Sequence, residues 1–539
     1  MKASVFMARY LRSQGLRWAF GLPGGEAIPL MEGLRQVDVP FILTHHESPA
    51  GYMAGTSGLL TGMPGLCIVT RGPGAVNMTS AVAMAYLDRL PLIAVSGDLE
   101  PAQVGRFTHQ WLDLVSLFQP ITKASSRLLA SEILTALPQA VELARSGRPG
   151  PVYFAFPASE ANKDLPQVPD DMTVEEIGRR FTPSPEPAAL PDLAELVEAL
   201  RAARSPVIMA GLGVAFGRAD AELLALAEWL RVPVTVTAQS KGHFPEDHPL
   251  FAGTFGVYTD APIYQLIEEA DLILGVGLDG VEFFKPWKVS TPVVSVAPAG
   301  AADPSYAPRL AVDGDLRAIL PALRREVEPR DGWTLARIER CRGEVAALMT
   351  PQVQEVGGRV APQAAIAALR EVLPRDGILT VDVGAHKLVA MAQWPAYSPD
   401  TFLTTNGLSS MGFAVSGAIA AKLARPDAPV AALMGDGGLL MYAGELETVA
   451  RLGLPITLVV MNDAALSSIK VKQAKRSLPA VGVDFGEPDY VGLARSFGLL
   501  GFRARTVEEC RSAFAKALGS GQSALVEVMT YYEEYLRYQ

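Results

Sequence analysis

The chain contains little cysteine: Cys67, Cys341 and Cys510 are its only three in 539 residues. They are odd in number, far apart and never in a CxxC pair. That excludes a disulfide framework and a cysteine-built metal site, and points to a reducing compartment. There is no run of 18 apolar residues, so no stretch is expected to cross a membrane. Lys and Arg nowhere cluster, and 57 acidic against 47 basic residues leave a net charge of −10. Nucleic acid and anionic membrane surfaces are therefore not expected partners. Low-complexity segments are missing, and no internal repeat is close enough to indicate a duplication. The opening MKASVFMARYLRSQGLRWAF patterns as an amphipathic helix interrupted by Arg, not as a signal sequence. These absences predict a soluble, cytoplasmic protein.

What the chain has is apolar substance, 49% of its residues, at a length expected to form about three domains. Strand and helix patterns alternate throughout, which predicts α/β architecture with open, mostly parallel sheets and helices on both faces. Residues 1–164 form the first predicted domain, with strands at Leu16–Phe20, Pro40–Thr44, Leu66–Thr70, Leu92–Ser96 and Val152–Phe156. Small-residue helices are expected over Ser48–Gly62 and about Met78–Tyr86. The Pro-rich stretch 165–190 reads as a linker. A central α/β domain follows over 191–330. Its Gly211-x-Gly213-x-x-x-Gly217 departs from the GxGxxG dinucleotide spacing and reads better as a structural turn. A helical connector, 331–360, precedes the third domain, 361–539.

Within that third domain, Val430–Met434 reads as a buried strand ending in Gly435-Asp436-Gly437. Leu439, Tyr442, Leu446 and Val449 then follow at helical spacing, and Gly453 and Pro455 stop the helix. A second buried strand, Ile456–Met461, leads to Asn462-Asp463. A right-handed βαβ crossover brings the ends of both strands together, so Asp436 and Asp463 should be neighbours. Two carboxylates beside glycines suit a hard divalent cation holding a diphosphate. Glu47 likewise stands where an apolar strand ends and a helix begins, on the ligand edge of its domain.

GDG followed about two dozen residues later by Asn-Asp resembles the cofactor motif of thiamine-diphosphate enzymes, and the resemblance runs along nearly the whole chain. THHESPAGYMAG, around Glu47, resembles the local pattern of acetolactate synthases. The implied role of Glu47 is to bond the cofactor's aminopyrimidine and promote removal of its C2 proton. GLPGG (with Pro23, Gly24 and Gly25) and TRGPGAVN (with Gly74 and Asn77) look like the family's first-domain loops. Gln110 matches a glutamine near the substrate. DVGAH supplies Val383, Gly384, Ala385 and His386 for the diphosphate. GLSSMGF supplies Ser409, together with Met411 as the hydrophobic prop of the cofactor. Gly435, Asp436, Gly437, Gly438, Asp463, Ala465, Leu466 and Ser467 complete the implied cofactor site. Mg2+ would be held by Asp436, Asp463 and the Ala465 carbonyl.

There are departures from the family. GVGLDGVEFF replaces an Arg-Phe-Asp-Asp-Arg run, which argues against bound flavin (FAD). Pro157-Ala158-Ser159 lacks a lysine expected near the site, Ser468 replaces a methionine, and Glu26 stands in place of alanine. The resemblance implies an acetolactate synthase-like carboligase acting on a 2-oxo acid. It also implies a homodimer or homotetramer whose sites are shared between subunits. The alternatives are a 2-oxo-acid decarboxylase, a 2-hydroxy ketone or 2-hydroxyacyl thioester lyase, and a non-catalytic cofactor-binding paralogue.

Overall fold

A computed structural model of the chain describes residues 1–183, 189–256 and 261–537. Short apolar runs become strands buried on both faces, as parallel sheets covered by helices require. The first sheet comprises β1 (Ala19–Leu22), β2 (Phe41–Leu43), β3 (Gly65–Val69), β4 (Leu92–Ser96), β5 (Ala124–Arg127) and β6 (Pro151–Ala155). Its order is β2-β1-β3-β4-β6-β5, and every pairing is parallel. The helices Glu47–Thr61 and Pro73–Leu87 pack closely through small residues. A Cβ on Gly51 would stand 2.4 Å from that of Ala81.

Three expectations for this region need correction. The helix expected from Met78 begins at Pro73, because proline's fixed φ suits a first helical position and its missing N–H costs nothing there. β5, with the sequence ASSR, carries no apolar run, and the following helix, Ile133–Arg145, contains Pro138; neither was expected. The stretch expected as a linker contains the helix Val174–Phe181. Thr173 and Glu176 form a capping box at its start, and Ile177 is buried in the first core. Residues 184–188 of that stretch lie outside the described residues.

The central sheet holds β7 (Pro206–Ala210), β8 (Val234–Val236), β9 (Phe251–Thr254), β10 (Leu272–Val276), β11 (Val293–Ala297) and β12 (Leu310–Asp313). Its order, β12-β11-β10-β7-β8-β9, is the doubly wound arrangement of dinucleotide-binding domains. Its glycines serve close packing. A Cβ on Gly213 would stand 2.5 Å from the Gly277 Cα. Both carboxylate oxygens of buried Glu282 accept from Leu212 N–H at 3.0 Å, filling the start of the helix Leu212–Gly217. Burial pushes the Glu282 carboxyl up to about 8.

The helix Leu335–Met349 and a small antiparallel hairpin, β13 (Glu355–Val356) and β14 (Arg359–Val360), lead to the third sheet. That sheet comprises β15 (Ile378–Val381), β16 (Phe402–Thr404), β17 (Val430–Gly435), β18 (Ile456–Asn462), β19 (Leu500–Ala504) and β20 (Ala524–Met529). Its order, β16-β15-β17-β18-β20-β19, repeats that of the first sheet strand for strand. The single helix expected after Gly437 is two, Asp436–Met441 and Glu445–Arg451. The break turns Tyr442 toward the rings of His46 and Tyr52, with centroids 5.1 and 6.3 Å away. Leu439, Leu446 and Val449 remain buried as their spacing implied.

Two compact units result. One gathers Met1–Glu186, Ile419–Ala424 and Tyr442–Thr448; the other gathers Pro187–Ala418, Arg425–Met441 and Val449–Gln539. Among the described residues no helix is long and apolar enough to cross a membrane.

Candidate active site

In the second unit, β17 and β18 are adjacent parallel strands, so Asp436 and Asp463 begin neighbouring loops. Asp436 Oδ1 accepts from Gly437 N–H at 2.7 Å, and its Oδ2 accepts from Ala464 N–H at 2.7 Å and Asp463 N–H at 3.2 Å. Asp463 Oδ2 accepts from Ser467 Oγ at 2.5 Å. Burial pushes the Asp436 carboxyl up to about 6. Burial first, and then the neighbouring Asp436 charge, push Asp463 up to about 7.

These loops line a cavity of about 690 Å³. After β15 come Val383, Gly384, Ala385 and His386; after β16, Ser409 and Met411. Gly435 ends β17 and Asp436 to Gly438 follow it, and Asp463, Ala465, Leu466 and Ser467 follow β18; all of these line the same cavity. Ser409 and Ala464 are non-glycine residues held at φ +56°, the kind of local strain that collects at ligand sites.

Asp382 braces the assembly. Its carboxylate accepts from the N–H groups of Val383 at 2.7 Å and Gly412 at 2.8 Å, tying the end of β15 to the loop carrying Met411. A Cβ on Gly438 would stand 2.4 Å from Asp382 Oδ2, so the glycine makes room for the brace. The DVGAH motif does not by itself reveal this part of Asp382; its signal in the chain is an Asp directly after an apolar strand.

The other predicted residues belong to the first unit. Glu47, only 5% exposed, starts its helix after β2, and its Oε2 accepts from Asn77 Nδ2 at 3.1 Å. Gly74 leaves the other oxygen uncovered, since a Cβ there would stand 3.2 Å from Oε1. His46 Nδ1 caps the helix by accepting from Ser48 N–H at 3.1 Å, and His45 Nε2 pairs with Glu447 at 2.7 Å. Pro23, Gly24 and Gly25 form the turn after β1. Exposed Gln110 holds φ +56° directly over Gly72, whose Cβ would stand 2.8 Å from the Gln110 carbonyl oxygen.

Comparison with known proteins assigns this architecture. Residues 1–117, 193–323 and 382–528 match the N-terminal TPP binding, central and C-terminal TPP binding domains of thiamine pyrophosphate enzymes. A probable acetolactate synthase large subunit of Methanocaldococcus jannaschii is 31% identical, over 98% of this chain and 92% of that protein. The chain belongs to the thiamine pyrophosphate enzymes. The acetolactate synthase of Bacillus subtilis is 28% identical, over 97% of this chain and 92% of its own length. The isozyme 2 large subunit of Escherichia coli is also 28% identical, over 98% and 95%. The chain is an enzyme of the thiamine-diphosphate-dependent transferase or lyase type.

This enzyme's own residues fit the cofactor. His386 Nε2 lines the cavity, is buried and has no hydrogen-bond partner. Burial holds the His386 imidazole near a pKa of about 4, neutral and available to a phosphate oxygen. A Cβ on Gly437 would stand 3.2 Å from Leu466 and 3.6 Å from the Met411 methyl, so bare backbone meets the cavity wall there. Among the described residues no group of three His, Cys, Asp or Glu stands together as a metal site. Two mutually repelling carboxylates instead suit a cation that completes its shell with backbone, phosphate and water oxygens.

Proposed function

We propose that this enzyme is a thiamine-diphosphate- and Mg2+-dependent carboligase that joins a 2-oxo acid, after loss of its carboxylate, to a second carbonyl compound. Near-full-length likeness to proteins named acetolactate synthase supports this reading. The observation that carries it is the buried Glu47 carboxyl, with one oxygen bonded to Asn77 and the other left open beside Gly74. Cofactor binding alone would not require that carboxyl. Bound thiamine diphosphate supplies a carbon nucleophile that adds to carbonyls and accommodates the electron pair released by decarboxylation.

The chain's residues prepare that chemistry. Glu47 Oε1 takes up and returns a proton, while Asn77 Nδ2 fixes the carboxyl's orientation through Oε2. Asp436, Asp463 and the Ala465 carbonyl hold the cation. His386 and the Val383–Ala385 turn bind the diphosphate, aided by Ser409, Ser467 and the glycines at 435, 437 and 438. Met411 and Leu466 form the apolar wall that keeps water out. Pro23, Gly24, Gly25 and Gly74 let first-unit backbone approach the ligand, and Gln110 orients substrate. The working form is a homo-oligomer in which Glu47 of one subunit serves a cofactor held by the second unit of another. Three buried, unpaired cysteines suit the cytoplasm.

The test is to supply thiamine diphosphate, Mg2+ and a panel of 2-oxo acids and to identify products by mass spectrometry. The expected product contains a new carbon–carbon bond. Free aldehyde alone would replace this reading with a decarboxylase, and no turnover despite cofactor binding would leave a non-catalytic paralogue.

A further inference from the structure

Glu26, the residue that departs from the family's alanine, does not face solvent alone. Its Oε2 accepts from Thr70 Oγ1 at 3.1 Å, and its Oε1 lies 3.1 Å from Arg71 Nε. The pair is built in from three strand ends. A Cβ on Gly24, after β1, would stand 2.2 Å from Thr70 Oγ1 and 2.8 Å from Glu26 Oε2. A Cβ on Gly97, after β4, would stand 2.7 Å from the Glu26 Cβ. Both side chains of the pair are 17% exposed.

The ion pair is incomplete as hydrogen bonding. Arg71 Nε is buried yet has no aligned partner, and among the described residues its two Nη atoms meet no acceptor. A guanidinium with its fork unused is a ready bidentate partner for a carboxylate. The chain sets Arg71 itself at the working edge, just after β3. The Thr70 methyl lies 2.8 Å from where a Gly74 Cβ would be, beside Glu47 Oε1, and Gln110 sits on Gly72, the next residue after Arg71.

Resting on the carboligase reading, we infer that Arg71, steered by Glu26, anchors the carboxylate of the acceptor substrate. The donor's carboxylate is excluded on physical grounds. An arginine clamped on it would stabilise the ground-state anion against departure as carbon dioxide, raising the barrier. The acceptor's carboxylate persists into the product, so its anchoring opposes no step. Glu26 uses Oε2 on Thr70 and keeps Oε1 on the Nε side, leaving the Nη fork to the substrate. A site so equipped takes a 2-oxo acid as acceptor in preference to the aldehyde of the same carbon skeleton.

The experiment measures kcat/KM for a 2-oxo acid acceptor and for the matching aldehyde, with a common 2-oxo acid donor. Their ratio should fall about 10- to 100-fold in Arg71→Met, the range expected for a lost hydrogen-bonded charge contact, and less in Arg71→Lys. Glu26→Gln should move the same ratio when Arg71 is present and leave it unmoved in the Arg71→Met background. An unchanged ratio in Arg71→Met overturns the anchor. A Glu26→Gln shift that persists without Arg71, or never occurs, overturns the steering. Exchange of the cofactor's C2 proton, followed by NMR in wild type, separates the two levels of failure. Its absence sinks the carboligase reading, whereas exchange with an unchanged ratio sinks only the role of Arg71.

Discussion

The first and third sheets share one strand order, and both present candidate residues at the C-terminal ends of their strands, yet they are equipped for opposite chemistry. After its second strand the first sheet sets Glu47, whereas the third sets Ser409 and Met411. After its third strand the first carries Thr70 to Gly74, and the third carries Asp436 to Gly438. The third edge gathers two carboxylates whose burial raises the cost of ionising each, with the Asp436 charge adding to that of Asp463, an arrangement relieved by a cation. At the first edge the Glu47 carboxyl is bonded to an amide, an arrangement suited to moving a proton. Topology thus selects the edge, and loop residues select the task. The central sheet adds a third case: its strand order is that of dinucleotide domains, but Glu282 closes the helix start where a ligand's phosphate would otherwise sit.

The sharpest way to break this contrast is Asp436→Ala. Wild-type protein should gain roughly 2–3 °C in Tm from thiamine diphosphate at about 100 Kd, and only with a divalent cation present. The variant should lose that gain and its turnover together. An equal gain without metal would refute a cation bridge at the third sheet.

Next in size is Glu47→Gln, which should keep the metal-dependent Tm gain and lose about 10²- to 10⁴-fold in turnover. C2 proton exchange as fast as wild type would remove the proton-moving role from the first sheet. Mixing these two inactive variants under conditions of subunit exchange sharpens the comparison further. About half of randomly paired dimers hold one site with both lesions and one with neither, so activity should return to about a quarter of wild type. No recovery despite demonstrated exchange would mean that each chain builds its own site.

The last test concerns the central sheet, away from the chemistry. The Glu282 carboxyl titrates near 4.5 unfolded and is pushed up to about 8 in the fold. The native state therefore holds the extra proton between these values, and stability falls as pH rises through that window, by at most about 1.4 kcal/mol per unit. Glu282→Gln should flatten the decline of Tm over that range. A slope identical in the two proteins would mean that Glu282 is ionised in the fold.

Much of this molecule was decided locally. Val430–Met434 and Ile456–Met461 are read as strands from their apolar runs because a parallel sheet buries both faces of a strand; each extends one residue further in the fold, and β4 matches its reading to the residue. The nearness of Asp436 and Asp463 follows from the right-handed crossover, a rule of chain geometry. Elements without an apolar run escaped that reading, as β5 did with its four small or polar residues. The break at Tyr442–Gly444 escaped because helical spacing persists on either side of it. Tertiary structure alone decided what each carboxylate meets: Asp382 the backbone of the Met411 loop, Glu282 the start of a helix, Glu26 an arginine with an unused fork. The physical reason is range. Periodicity and turn chemistry act over a few neighbouring residues, whereas a buried charge is defined by partners that arrive from distant strands.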